Sequence, residues 1–211
     1  MMDKIISNYA AYQDDDLMIC DGVAYQKDMT NLVTYDKDYF NKCLGYEDEE
    51  IALKINYGRA ILVAFYHSGY VLDIGIGSGE FIKKRMFTFG YDINPTAIKW
   101  LKEVDLYSDK FSNFTAFTMW DVIEHVQEPG NYFKQMKPGS YLFTSIPLFK
   151  DLNKIRESKH YRPDEHLYYF TEEGLKKWMR AHGFCFLEMC DFEKDAGREE
   201  IYSFVFIKAH G

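Results

Sequence analysis

The residues best placed for chemistry begin with Asp73-Ile74-Gly75-Ile76-Gly77-Ser78-Gly79-Glu80, an acid followed by three alternating glycines. They follow the apolar run Tyr70-Val71-Leu72, which reads as a strand buried on both faces of a parallel sheet. Glycine tolerates positive φ and lets backbone pass close to a ligand. A helix expected from about Glu80 turns its unpaired N–H groups toward the same space. Strand, glycine turn and helix start together describe a nucleotide site. The dinucleotide pattern G-x-G-x-x-G fails, because its third glycine falls on Glu80, and the run fits D-x-G-x-G-x-G instead. Taken alone, the glycines are also compatible with a tight turn that binds nothing.

Three further clusters follow. Asp92 ends a second strand, Phe87 to Tyr91, and precedes Ile93-Asn94-Pro95, where Pro95 suits the first turn of a helix through Ala97, Ile98 and Leu101. A carboxylate there can accept from both hydroxyls of a vicinal diol, or can simply cap the helix. A strand from Phe114 to Trp120 runs into Asp121-Val122-Ile123-Glu124-His125-Val126. His125 has the pKa range of a general base, although Glu124 and His125 can equally tie the turn together. The block Lys159 to Thr171 gathers histidines, an arginine and tyrosines into a loop, with His166 as a base or as an anchor. The histidines show no metal-ligand spacing. The four cysteines (Cys20, Cys43, Cys185, Cys190) form no C-x-x-C pair, so no metal is expected and the thiols read as free.

In this order the motifs resemble the class I S-adenosylmethionine (SAM)-dependent methyltransferases. The D-x-G-x-G-x-G run, the D-x-x-E-H-V of Asp121 to Val126, and the E-H-L-x-x-F-T of Glu165 to Thr171 point to the type-23 and ubiquinone-biosynthesis-like group. The resemblance spans about residues 57 to 207 and implies SAM as cofactor and methyl transfer as activity. It implies cofactor contacts from Asp73, Gly75, Gly77 and Gly79, and ribose contacts from Asp92 with Ile93 and Asn94. It puts adenine near Tyr107 or Asp109, and the methionine part near Asp121 and Val122. Arg59, the first arginine in the chain, either reaches the methionine carboxylate or lies on a helix surface. SAM carries an ammonium and a sulfonium, which explains acids where a phosphate site would avoid them. N/D-P-P-Y/F is missing after the fourth strand, because Asp121 is followed by Val122-Ile123. That leaves a small-molecule O- or N-acceptor ahead of nucleic acid, and His125 and His166 as candidate bases. A protein that binds SAM without turnover is the competing reading.

The elements that must position these residues follow an α/β plan. We expect a Rossmann-like, seven-stranded mixed sheet flanked by helices, with Leu106 to Asp109 as a short third strand. Phe184 to Cys190 and Ile201 to Ile207 form a terminal antiparallel hairpin. Helical spacing from Glu47 to Ala64 marks Ile51, Ile55, Ala60, Leu62 and Val63 as buried. Thr171 caps a helix with Leu175, Trp178 and Met179 inside. The 211 residues suffice for one such domain over residues 56–211, preceded by an acidic segment over 1–55 that the resemblance casts as a lid. Residues 1–55 carry a net charge of −7 and the remainder −1, so no basic face for nucleic acid is evident. No apolar run approaches the roughly 18 residues of a membrane span, and the first residues lack a signal-peptide pattern. A cytoplasmic monomer or homodimer is expected.

Overall fold

A computed structural model describes residues 12–13, 16–28, 36, 38 and 49–210. Three short strands come first: β1 (Tyr12–Gln13), β2 (Leu17–Cys20) and β3 (Val23–Gln26). Helix α1 (Glu49–Tyr66) leads to β4 (Val71–Ile74), the short α2 (Glu80–Lys84), β5 (Thr88–Tyr91) and α3 (Pro95–Glu103). Then come β6 (Ala116–Trp120), α4 (Gly130–Phe133), β7 (Tyr141–Pro147), β8 (Tyr168–Phe170) and α5 (Glu172–Ala181). The chain closes on β9 (Phe184–Cys190), α6 (Phe192–Asp195) and β10 (Ile201–Lys208).

The main sheet has six strands in the order β5-β4-β6-β7-β10-β9. The first four run parallel, and β10 pairs antiparallel with both β7 and β9, which is the expected terminal hairpin. The seventh strand, expected at Leu106 to Asp109, shrinks to one bridge between Gly90 and Tyr107. Asp105 has φ 59, and only the backbone bonds Gly90 N–H to Leu106 O (2.8 Å) and Ser108 N–H to Gly90 O (3.0 Å) link the segment to β5. Two bonds do not make a ladder.

Every residue of β4 is buried, including Asp73 at 1% exposure, as a central parallel strand requires. From β4 the chain turns to β5 on one side and later to β6 on the other. The crevice beyond the C-terminal ends of β4 and β6 is therefore a topological switch point, where ligands bind in open α/β sheets. The main core packs Leu72, Phe117, Leu142 and Phe204 against Phe133, Leu175 and Met179.

α1 buries Ile55, Leu62 and Val63 as expected, but Ile51 is 38% exposed. Apolar residues occur almost all round this helix, so spacing alone does not select its inner face; Tyr57, Ile61 and Phe65 point outward. The described part of residues 1–55 forms a second, antiparallel sheet in the order β1-β2-β3-β8. Two sequence regions far apart thus share one sheet, and α1 runs across residue 55. Most of the expected lid lies outside the described residues. Thr171 caps α5 by accepting from Gly174 N–H at 3.0 Å and donates to Gly22 O at 3.1 Å, so the β2–β3 turn rests on the start of that helix. Cys20, Cys185 and Cys190 are free thiols. Among the described residues no helix is long and apolar enough to cross a membrane.

Candidate active site

At the switch point lies a cavity of about 1050 Å³. Its floor is the C-terminal edge of three adjacent parallel strands, each with an acid within one residue of its end: Asp73 in β4, Asp92 after β5 and Asp121 after β6. Right-handed crossovers align the strand ends, so acids distant in sequence meet at one edge.

The glycine turn forms one side. Gly75 has φ 74 and Gly77 has φ 53. A Cβ on Gly75 would sit 2.6 Å from Val122 Cγ2, whereas one on Gly77 would meet nothing within 4 Å, because that position faces the cavity. Gly79 caps α2 and packs on Trp100, and it does not line the cavity. Asp92 joins the turn to the next loop: Oδ2 accepts from Ile76 N–H at 2.9 Å and Oδ1 from Asn94 N–H at 2.8 Å. Ile93 N–H also bonds this carboxylate, which still keeps a lone pair for a ligand. Burial raises the Asp92 carboxyl above its usual range, and the backbone bonds pull it back. Ile93, 59% exposed, and Asn94 line the cavity beside it. Asn94 accepts from Thr96 N–H, capping α3, and donates to Asp36 O at 2.7 Å. Asp73 accepts from Thr118 Oγ1–H at 2.6 Å, and burial pushes its carboxyl up to about 7.

Tyr107, expected near adenine, does not reach the cavity. Its ring carries the Lys102 ammonium at 5.1 Å; Asp109 is also absent from the lining. Tyr91 and Tyr132, 6.0 Å apart, occupy the wall beyond Asp92 instead.

Asp121 sits at φ 55, which turns the chain sharply out of β6. Its Oδ2 accepts from Arg59 Nη2 and from Arg198 Nη1, each at 2.9 Å. Burial alone would raise this carboxyl, but the two guanidinium groups hold it below the usual range. Arg59 is neither on the surface nor held only by the cavity. It is 8% exposed, its Nε donates to Glu193 Oε1 at 2.8 Å, its Nη2 also reaches Ser145 Oγ at 2.9 Å, and its guanidinium lies 4.8 Å over the Trp120 ring. Glu193, fully buried, also pairs with Arg198 and accepts from Ser203 Oγ–H at 3.0 Å. Two arginines and two acids thus form a closed network. Its members Glu193 and Arg198 carry no local signal in the sequence; only the tertiary fold brings them to Arg59.

After Asp121 a 3-10 turn, Ile123–His125, presents Glu124 and His125 to the cavity. Leu167 N–H donates to Glu124 O at 2.7 Å, and His125 Nδ1 meets Glu165 O at 3.0 Å. These bonds fasten the turn to the loop before β8, so the tying role is seen directly. They also bring the His125 and His166 rings to 4.7 Å between centroids. Burial lowers the pKa of both imidazoles, that of His166 to about 3, where His125 adds to the effect. Burial, with the nearby Asp121 charge, raises the Glu124 carboxyl well above its usual range. Glu124, His125 and His166 each offer one ligand atom within 4.8 Å of the others, a grouping that chain spacing did not reveal.

The family model described as a methyltransferase domain matches residues 40–188. No curated protein matches in sequence. Among solved structures, 1,6-didemethyltoxoflavin-N1-methyltransferase from Burkholderia thailandensis, with bound 1,6-didemethyltoxoflavin and S-adenosylhomocysteine, aligns at TM-score 0.56 and 13% identity over 94% of this chain and 98% of that one. A SAM-dependent methyltransferase from Archaeoglobus fulgidus aligns at 0.54 and 20% identity, covering 81% and 99% of the two chains. A possible histamine N-methyltransferase from Thermotoga maritima aligns at 0.55 and 16%, covering 75% and 91%.

Proposed function

This chain belongs to the methyltransferase domain family and is a SAM-dependent methyltransferase, and from that premise we propose that it methylates a small molecule bound inside the switch-point cavity. The observation that carries this reading is the convergence of Asp73, Asp92 and Asp121 on one edge beside the open face of Gly77. This donor set fits the cofactor. Asp92 retains acceptor capacity for a ribose hydroxyl. Ile93 offers an exposed apolar face beside Asp92 for the adenine. Asp121 Oδ1 is buried with no hydrogen-bond partner, as an acceptor awaiting an ammonium would be. Asp73 adds a carboxyl whose ionised form a bound cation favours.

Bound SAM supplies a methyl group on a sulfonium, already a good leaving group. The residues of this chain therefore mainly orient two partners and exclude water. Arg59 and Arg198 hold Asp121 rigid through its Oδ2, which leaves Oδ1 to the ligand. His125 and His166 line the cavity where the acceptor would lie, and burial favours their neutral form.

A small-molecule acceptor is supported by the size of the cavity, by the net charge of −8 and by the 1,6-didemethyltoxoflavin bound in the B. thailandensis enzyme. A lid role for the acidic segment over 1–55 is supported by the contact of Asp36 O with Asn94, next to the ribose acid. Isothermal calorimetry with S-adenosylhomocysteine, with NAD as control, tests the cofactor. Asp92→Ala should weaken binding by about a hundredfold, the cost of a hydrogen bond to a charged acceptor. Unchanged affinity removes the ribose assignment.

A further inference from the structure

Besides Trp120 Nε1 and Asp121 Oδ1, two buried polar atoms of cavity-lining residues have no partner: Oε2 of Glu124, a residue 1% exposed, and Nδ1 of His166, a residue 5% exposed. Each such atom costs about 1–3 kcal/mol of desolvation, and the two residues line the same cavity, which points to a missing partner. His125 stands beside them, and the three side chains offer ligand atoms within 4.8 Å of one another. We propose that Glu124, His125 and His166 hold one divalent transition-metal ion, of the Zn²⁺ type, with its open coordination facing the cavity.

Two imidazoles and one carboxylate form a mixed nitrogen and oxygen donor set suited to Zn²⁺, Fe²⁺ or Mn²⁺ rather than to Ca²⁺ or Mg²⁺. The surroundings are those of a supported site. His125 Nδ1 meets the Glu165 carbonyl at 3.0 Å, the kind of outer-shell bond that metal-binding histidines usually make. The carbonyl of Glu124 is bonded by Leu167 N–H, and His166 N–H donates to Arg162 O, both at 2.7 Å. Both loops are thus pinned while their side chains point inward. The 4.8 Å limit exceeds the about 3.4 Å between ligands of tetrahedral zinc, so loading draws the side chains in by roughly 1 Å.

Three protein ligands leave a position open, the arrangement of catalytic rather than structural zinc. All three residues line the cavity that Asp92 and Gly77 also line, so the open position faces the proposed acceptor. Resting on the methyl-transfer reading, this assigns the acceptor to molecules that present a hydroxyl or phenol oxygen, whose proton a bound divalent ion makes easier to lose.

The test is equilibrium dialysis of the whole protein against Zn²⁺ with the bound metal quantified, and a visible spectrum with Co²⁺ in its place. One equivalent should bind. Glu124→Gln and His166→Gln should each lose at least about tenfold in affinity and the Co²⁺ absorption, while His210→Ala, at an exposed site, should change neither. Calorimetry with S-adenosylhomocysteine on the same samples verifies that the variants remain folded. Less than one equivalent in the unaltered protein, or equal affinity in both cavity variants, overturns the metal site. Zn²⁺ binding without S-adenosylhomocysteine binding overturns the cofactor reading and leaves the metal site standing.

Discussion

Asp73 offers a test in which the sign of the effect is as informative as its size. The residue is 1% exposed in a central strand and accepts from Thr118 Oγ1–H. Burial pushes its carboxyl up to about 7, although the Thr118 bond and the Arg59 charge pull it down; nearby Asp92 adds to the rise. In the unfolded chain the pKa is about 3.9. Between these values the folded protein binds more protons than the unfolded chain, so stability is lost as pH rises from about 4 to about 7, then levels off. Three units at 1.36 kcal/mol each give a cost on the order of 4 kcal/mol at pH 8. Asp73→Asn removes the ionisation and keeps an oxygen for Thr118. Without ligand, the variant and the unaltered protein should melt alike near pH 4, and the variant should melt higher at pH 8. At about 2–4 °C per kcal/mol for a chain of this size, the gap approaches roughly 8–16 °C. The same change should weaken SAM more than S-adenosylhomocysteine, since only the former carries the sulfonium charge. Scanning calorimetry across this pH range is the assay. Melting curves that stay parallel from pH 4 to pH 8 would show that the Asp73 carboxylate carries no burial cost, and the reasoning would fail.

Two further changes probe the walls of the site. Arg59→Met strips a partner from buried Glu193 and from Asp121, and should destabilise by about 3–5 kcal/mol in urea unfolding, as loss of one partner of a buried pair does; a change below about 1 kcal/mol would mean the network contributes little. Gly77→Ala places a methyl group where no protein atom lies within 4 Å, at φ 53. It should cost only about 1 kcal/mol in stability yet lower S-adenosylhomocysteine affinity measurably by calorimetry, because the methyl enters the ligand's space.

How much of this was legible in the sequence depends on the range of the interaction. The glycine turn and Asp92 were readable because backbone conformation and strand-end chemistry are local, and the right-handed parallel sheet places successive strand ends at one edge without further information. The Thr171 cap was readable for the same reason. The third strand expected at Leu106 to Asp109 was not readable because strand length is decided by pairing: after the φ 59 of Asp105, only Tyr107 bridges to β5.

The sequence by itself determined the α/β plan, the position of the cavity along the chain and the acids on its floor. Tertiary structure decided what those acids meet. Arg59 finds Glu193 across 134 residues, and His125 finds the Glu165 carbonyl across 40. Strands β1 to β3 complete a sheet with β8 just after His166. Such meetings depend on which surfaces pack together, and side-chain reach is only a few ångströms. No pattern along the chain encodes them, yet they convert Glu124, His125 and His166 from isolated residues into one cluster.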